Sequence, residues 1–176
     1  MLRHVLVGLA GAVMAVGVAA AAPAFTFSSI EGGEISLETY RGGPVLVVNT
    51  ASRCGYTYQY AGLQQLYDTY RARGLVVLAV PSDAFNQELS SNDKVKEFCE
   101  VTYGLTIPMT EMTEVKGAGA HPLFAWLKAT QGFEPSWNFN KVLLDAEGEY
   151  VESWGSGAKP MSPEVTGRIE GVLAGG

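Results

Sequence analysis

The chain contains few cysteines and few basic residues. Its 176 residues include only two cysteines, Cys54 and Cys99, and its 12 lysines and arginines are outnumbered by 18 aspartates and glutamates. The two cysteines form no Cys-x-x-Cys motif, which excludes disulfide exchange within a single motif of that kind. The formal net charge of −6 gives no basis for binding nucleic acid or an anionic membrane surface. We therefore expect neither partner.

Apolar runs of membrane-spanning length are also absent. The first 24 residues combine a short basic start, an apolar stretch over residues 5–18 and a run of alanines at 19–22. This pattern is typical of a cleaved secretory signal peptide. We predict a signal peptide at residues 1–24, one domain at residues 25–176, and a periplasmic or secreted protein that leaves the membrane after cleavage. An uncleaved N-terminal anchor is the alternative.

The clearest structural pattern is a strand, a helix and a second strand early in the domain. Residues 45–50 form an apolar, β-branched run and residues 75–80 form another, as expected for strands buried on both faces. Between them, Tyr60, Leu63 and Leu66 recur at helical spacing. The pattern predicts a βαβ unit whose two strands are parallel neighbours.

Weaker patterns complete the fold prediction. The other predicted elements are an N-terminal hairpin over residues 25–37, helices at 90–103, 123–130 and after Ser162, a short extended piece at 107–109 and a hairpin at 139–154. Strands and helices in this order predict an α/β domain with a thioredoxin-like fold. We expect a mixed central sheet with helices on both faces and an N-terminal β-hairpin.

Cys54 is the strongest candidate for chemistry. It lies where the first buried strand gives way to a helix, beside Arg53, and both the helix dipole and the arginine favour a thiolate. The alternative is a buried cysteine that acts as a small hydrophobe. Thr57 stands where a second motif cysteine would be. A single activated thiolate of this kind suits attack on an O–O bond, which yields a sulfenic acid.

Such a displacement needs hydrogen-bond donors at the departing oxygen, and amide and indole N–H groups are suitable because they do not compete as nucleophiles. Gln87, Trp137 and Asn138 carry these groups and fall in predicted loops. Each also has an ordinary explanation. Gln87 could be a solvated amide, Trp137 a hydrophobic plug and Asn138 a turn former.

Four motifs resemble the glutathione peroxidase family, in the same order and over nearly the whole domain. They are residues 49–60 (NTASRCGYTYQY), 85–88 (FNQE), 117–124 (GAGAHPLF) and 137–141 (WNFNK). The chain is similar to the cysteine-containing members that use thioredoxin-type donors. The resemblance implies that Cys54 is the peroxidatic residue and that Gln87, Trp137 and Asn138 are catalytic. The family motif has one more residue between Phe85 and Gln87, so the loop here is tighter.

Cys99 has two interpretations. Its position on a predicted helical stripe with Val95 and Phe98 is typical of a core cysteine. In non-selenium members of the resembled family the resolving cysteine lies in a Phe-Cys pair on this helix, and Phe98-Cys99 matches that pair. The resemblance implies that Cys99 resolves the sulfenic acid after local unfolding of the helix. A permanent structural disulfide with Cys54 is the alternative.

We expect a thiol peroxidase that reduces hydrogen peroxide and organic hydroperoxides and is recycled by a thioredoxin-like dithiol protein or by glutathione. The alternatives are a peroxide sensor or disulfide relay that uses the same cysteine pair, and a non-enzymatic binding module. A Cys–His hydrolase would require His121 as the base, but its place before Pro122 favours capping or packing. We expect no cofactor, no metal, and a monomer or weak homodimer.

Overall fold

The computed structural model describes residues 22–175. Its helices and strands are β1 (Thr26–Ser28), β2 (Glu34–Ser36), β3 (Val45–Thr50), α1 (Gln59–Tyr70), β4 (Val76–Pro81), α2 (Asn92–Tyr103), α3 (Pro122–Gln131), β5 (Lys141–Leu144), β6 (Tyr150–Trp154) and α4 (Pro163–Gly175). The predicted signal peptide lies almost entirely outside the described residues and stays a prediction.

A four-stranded sheet in the order β4-β3-β5-β6 forms the centre of the domain. β3 runs parallel to β4, with Val45 opposite Val76, and antiparallel to β5, with Val45 opposite Leu144. β5 and β6 form the predicted second hairpin, and β1 and β2 form the N-terminal one as a separate sheet. The predicted mixed sheet and N-terminal hairpin are confirmed.

β3 lies in the interior of the sheet because apolar side chains on both of its faces can be buried. All six of its residues are buried, as expected of a continuous apolar run. Since side chains alternate along a strand, Leu46 and Val48 point into one core and Val45 and Val47 into the other. The strand therefore separates two hydrophobic layers.

The two layers are covered by different elements. Tyr60 and Leu63 of α1, Val95 of α2 and Val165 of α4 pack on one face of the sheet. α3 and the β1–β2 hairpin cover the other face, through residues that include Leu123. The prediction of helices on both faces is confirmed.

The predicted extended piece at 107–109 lies beside β4. Met109 forms an isolated parallel bridge with Ala79, and the Ala79 N–H donates to the Pro108 carbonyl at 3.0 Å. Because proline has no N–H, this segment cannot form a full ladder and stays at the edge of the sheet.

β5 carries a lysine that is fully buried. Lys141 pairs with Val48 of β3 and Trp154 of β6, and its exposed fraction is 0%. Its Nζ donates to the Phe139 carbonyl at 2.7 Å. Among the described residues, no carboxylate lies within ion-pair distance of it. Desolvation by burial lowers the pKa of Lys141 from 10.5 to about 8.

This burial makes stability depend on pH. Between about 8 and 10.5 the unfolded chain holds a proton at Lys141 that the folded chain has released, so the free energy of unfolding rises with pH across that window. Relative to Lys141→Met, we expect the wild-type protein to gain up to about 3 kcal/mol between pH 8 and 10.5. Urea unfolding of both proteins across this range measures the difference.

The exposed Lys159 gives the matched control, since Lys159→Met should change stability by a pH-independent amount. Taking the difference between proteins removes contributions from other groups that titrate in the same range. A wild-type minus Lys141→Met difference that stays flat from pH 8 to 10.5 would contradict the desolvation argument.

Candidate active site

Three loops meet at the end of the sheet where β3 finishes. The Cys54 loop follows β3, a second loop at 82–91 follows β4, and a third at 132–140 leads into β5. β4 is parallel to β3 and leaves the sheet at the same edge, while β5 is antiparallel and enters there. The sheet order therefore places the two other loops on either side of the Cys54 loop. In parallel sheets, sites form at this edge.

Cys54 lies at the junction of β3 and α1, as predicted. The residue is buried with 5% of its surface exposed, whereas the neighbouring Arg53 and Gly55 are exposed. The Tyr56 N–H points at its Sγ at 3.4 Å. α1 begins only at Gln59, so the nearest donor belongs to the connecting turn rather than to the helix itself. Because only this small part of Cys54 is exposed to solvent, only small or narrow reactants can reach it.

The loop after β4 is bonded directly to the Cys54 loop. The Arg53 N–H donates to the Gln87 carbonyl at 2.9 Å, and the Ser52 N–H donates to Oε1 of Glu88 at 3.0 Å. Glu88 is buried, and desolvation raises the pKa of its carboxyl despite the N–H donors of Ser52 and Leu89. These bonds fix Gln87 next to the residue that precedes Cys54.

Gln87 and Asn138 are brought into contact from loops 51 positions apart. The Asn138 Nδ2 donates to Oε1 of Gln87 at 3.0 Å. Because this bond occupies the amide oxygen of Gln87, it orients the NH2 group, which is the end that can donate. Asn138 is fully buried, and its carbonyl accepts from the Ser156 hydroxyl at 2.6 Å. Asn138 thus has a fixed orientation.

Trp137 is the most exposed of these side chains, at 39%. Its ring lies against Phe85, with 5.2 Å between ring centroids. The structure therefore brings Trp137 to the loop that carries Gln87, and it places the indole at the surface of the site. Cys54, Gln87, Trp137 and Asn138, the predicted catalytic residues, all lie on the three loops that meet here.

Asn49, near the end of β3, holds the third loop, although its role was not predicted from the sequence. Its Nδ2 donates to the Trp137 carbonyl at 3.0 Å, its N–H donates to the Asn140 carbonyl at 3.2 Å, and its carbonyl accepts from the Phe139 N–H at 2.6 Å. Asn49 could have been identified because it is a polar residue in an otherwise apolar strand, and a buried polar side chain needs hydrogen-bond partners.

The shortened loop between Phe85 and Gln87 still reaches Asn138. Asn86 adopts a left-handed backbone with φ of 57°, a conformation that asparagine tolerates better than most residues. Its N–H donates to the Asp83 carbonyl at 2.9 Å, and the Asp83 carboxylate accepts from the Glu88 N–H at 3.0 Å. The tight turn at Asn86 brings Gln87 within hydrogen-bond distance of Asn138.

Cys99 is fully buried on α2 and faces the same core as Cys54. Both cysteines are free, so the structure contains no permanent disulfide between them. Burial raises the pKa of the Cys99 thiol from 9.0 to about 12, against a smaller lowering effect of the Tyr60 hydroxyl. In this conformation Cys99 is a protonated core residue and cannot act as a nucleophile at neutral pH.

His121 lies on the other side of the sheet and takes no part in the site. Its Nδ1 accepts from the Leu123 N–H at 3.3 Å at the start of α3, and its Nε2 bonds the Thr26 carbonyl at 2.8 Å. The imidazole also stacks on Phe27, which belongs to the second core. Burial lowers the pKa of His121. The predicted capping role is confirmed, and no Cys–His pair is assembled.

Residues 22–175 contain neither a metal-binding cluster nor a membrane-spanning helix. No cluster of three or more histidine, cysteine, aspartate or glutamate side chains in this part of the chain could hold a metal ion. None of the helices described there has both the length and the apolar character needed to cross a bilayer.

Proteins of similar sequence support the family resemblance. The model of the glutathione peroxidase family matches residues 23–128. A hydroperoxy fatty acid reductase from Synechocystis sp. is 41% identical over 160 residues, which cover 85% of this chain and 94% of the relative. A glutathione peroxidase from Lactococcus lactis subsp. cremoris is 39% identical over 147 residues, covering 80% and 94%.

Solved structures agree with the fold. The T. cruzi protein GPX1 matches with a TM-score of 0.65 and 28% identity, over 85% of this chain and 94% of that one. A putative thiol:disulfide interchange protein DsbE from Chlorobium tepidum matches with a TM-score of 0.64 over 87% and 95%, at 19% identity, which supports the fold alone. The predicted thioredoxin-like fold is confirmed, and this chain belongs to the glutathione peroxidase family of enzymes.

Proposed function

We propose that this protein is a thiol peroxidase that reduces hydrogen peroxide and organic hydroperoxides at Cys54. The single observation that supports it most is the Asn138–Gln87 hydrogen bond of 3.0 Å on loops bonded to the Cys54 loop. This bond occupies the amide oxygen of Gln87 and leaves its NH2 group as the free donor, which is the group that stabilisation of a departing oxygen requires. Family membership supplies the peroxidase chemistry.

In the first step the Cys54 thiolate attacks the terminal oxygen of a hydroperoxide. The S–O bond forms as the O–O bond breaks, the sulfur is oxidised to a sulfenic acid, and the peroxide is reduced to an alkoxide that takes up a proton. Gln87 and Trp137 donate N–H groups to the departing oxygen. Asn138 already donates to Gln87, so its contribution is to orient that donor.

In the second step Cys99 attacks the sulfenic acid of Cys54. The thiol loses its proton, the S–S bond forms and the hydroxyl leaves as water. Cys99 cannot do this while it is buried on α2 with a pKa of about 12. Local opening of α2 must therefore come first. A thioredoxin-like dithiol protein, or glutathione, then reduces the disulfide.

The surface of the loops that carry Gln87 and Trp137 favours organic hydroperoxides among the substrates. Phe85 and Trp137 form an aromatic pair at its edge, and the Lys116 Nζ lies 4.3 Å from the centre of the Phe85 ring. An apolar chain would pack on the rings and an anionic end would meet the lysine. The Synechocystis relative, by its name, reduces fatty acid hydroperoxides. We propose that such substrates compete with hydrogen peroxide here.

We propose that the mature enzyme lies in the periplasm or outside the cell, as a monomer or weak homodimer.

A peroxide sensor or disulfide relay is the second candidate because it needs the same two cysteines. Steady-state peroxide consumption with reduced thioredoxin separates the two, with glutathione compared in parallel. An enzyme turns over many times, whereas a sensor or relay is oxidised once and consumes little further peroxide.

Removing the donor of Gln87 should slow peroxide attack. For Gln87→Ala we expect the second-order rate constant of Cys54 oxidation to fall about 10²-fold, the usual cost of losing one such donor. Stopped-flow measurement with hydrogen peroxide checks this. Gln65→Ala, at an exposed position on α1, is the matched control and should leave the rate unchanged. A Gln87→Ala rate within about two-fold of wild type contradicts the role assigned to Gln87.

Replacing Cys99 should separate the two chemical steps. Cys99→Ser should consume one equivalent of peroxide at the wild-type rate and then stall with thioredoxin, because the sulfenic acid has no internal partner. Peroxide consumed per enzyme, and mass spectrometry of the product, measure this. Cys54→Ser should consume none. Sustained turnover of Cys99→Ser with thioredoxin would show that Cys99 is only a core residue.

A further inference from the structure

The burial of Lys141 in the core is not explained by a contribution to stability. It is fully buried, and its strand neighbours Val48 and Trp154 belong to the core that also contains Cys54. In the described part of the chain no carboxylate pairs with it. Lysine is almost never fully buried without a partner, because removing the ammonium from water is unfavourable. An apolar residue would fill this position in β5 at lower cost, so the ammonium must serve another purpose.

The side-chain hydrogen bond of Lys141 points to that purpose. Its Nζ donates to the Phe139 carbonyl at 2.7 Å, a short distance typical of a charge-assisted bond. Phe139 directly follows Asn138 in the chain. It adopts a left-handed backbone with φ of 61°, which is strained for an aromatic residue. Such a conformation persists only where its surroundings impose it.

Both sides of Phe139 are held. Its N–H donates to the Asn49 carbonyl at 2.6 Å, and its carbonyl accepts from Lys141. With both peptide groups fixed, the backbone that carries Asn138 has little freedom to rotate. The side-chain bond from Asn138 to Gln87 therefore depends on a backbone geometry that Lys141 helps to impose.

We propose that Lys141 is a positioning residue, which through the Phe139 carbonyl holds the Trp137–Asn138 segment so that Asn138 can orient Gln87 toward the site. This inference rests on the proposed function, since it takes Gln87 and Trp137 to be the peroxide donors. Lys141 itself touches no substrate. It acts on the donors, and it should leave the intrinsic reactivity of Cys54 unchanged.

The test compares two reactions of Cys54 in Lys141→Met, which fills a similar volume without the ammonium. Oxidation by hydrogen peroxide needs the N–H donors, whereas alkylation by iodoacetamide does not develop charge on a departing oxygen. We expect the peroxide rate constant to fall by about ten-fold or more, since small displacements of catalytic groups have large effects. The alkylation rate should stay within about three-fold of wild type.

A third measurement does not depend on activity. Hydrogen exchange of the peptide covering residues 136–141 reports on the Phe139 N–H, and it should become faster in Lys141→Met. Leu143→Met is the matched control, because Leu143 lies on the same strand and faces the same core without bonding this loop. It should leave both rates and the exchange unchanged.

Lys141→Gln keeps a donor without the charge. Its peroxide rate should lie between those of wild type and Lys141→Met, about three-fold below wild type, with unchanged alkylation. If Lys141→Met fails to fold, this variant makes the same comparison. A peroxide rate equal to wild type in the folded variants overturns the proposal, as does a parallel fall of oxidation and alkylation. If the wild-type protein does not react with peroxide, the proposed function fails, and hydrogen exchange alone decides whether Lys141 positions the loop.

Discussion

The hydrogen bond from Asn138 to Gln87 is the contact on which the site depends. Its two partners are 51 positions apart in the sequence and lie on separate loops, one after β4 and one before β5. They meet because β3 lies between β4 and β5, so that the loop leaving β4 and the loop entering β5 close over the end of β3. The buried apolar run at Val45–Thr50 thus determines the site indirectly. It places β3 in the middle of the sheet, so the loops that carry Gln87 and Asn138 meet beside the Cys54 loop.

The same core contains two thiols in different surroundings. Cys54 keeps 5% of its surface exposed and has an N–H donor at 3.4 Å, whereas Cys99 is fully buried beside Tyr60. The Tyr60 hydroxyl faces the Cys99 thiol and Thr50, yet it reaches no partner at hydrogen-bond geometry among the described residues. A buried hydroxyl without a partner is unfavourable. In the proposed mechanism, opening of α2 would expose this hydroxyl to water, which would offset part of the cost of that opening.

Periodicity predicted the fold well because apolar spacing records burial directly. The two buried strands, the hairpins and the helices follow from it, as does the position of Cys54 at the junction of β3 and α1. The roles of Gln87, Trp137 and Asn138 came from motif resemblance, since a loop amide has no pattern of its own. Asn49 and Lys141 were missed, because a polar residue in an apolar strand does not reveal which distant carbonyl it bonds. The proposed leader at residues 1–24 stays a prediction.

The position of the second cysteine distinguishes this chain from thioredoxin-fold proteins with a Cys-x-x-Cys motif. In that motif both sulfurs share one turn, so a disulfide forms without rearrangement of the fold. Here Thr57 stands where the second sulfur would be, and the other thiol lies on α2. In the proposed mechanism a Cys54–Cys99 disulfide therefore forms only after α2 opens. Until that opening, the reduced Cys54 is unpaired and can react with peroxide.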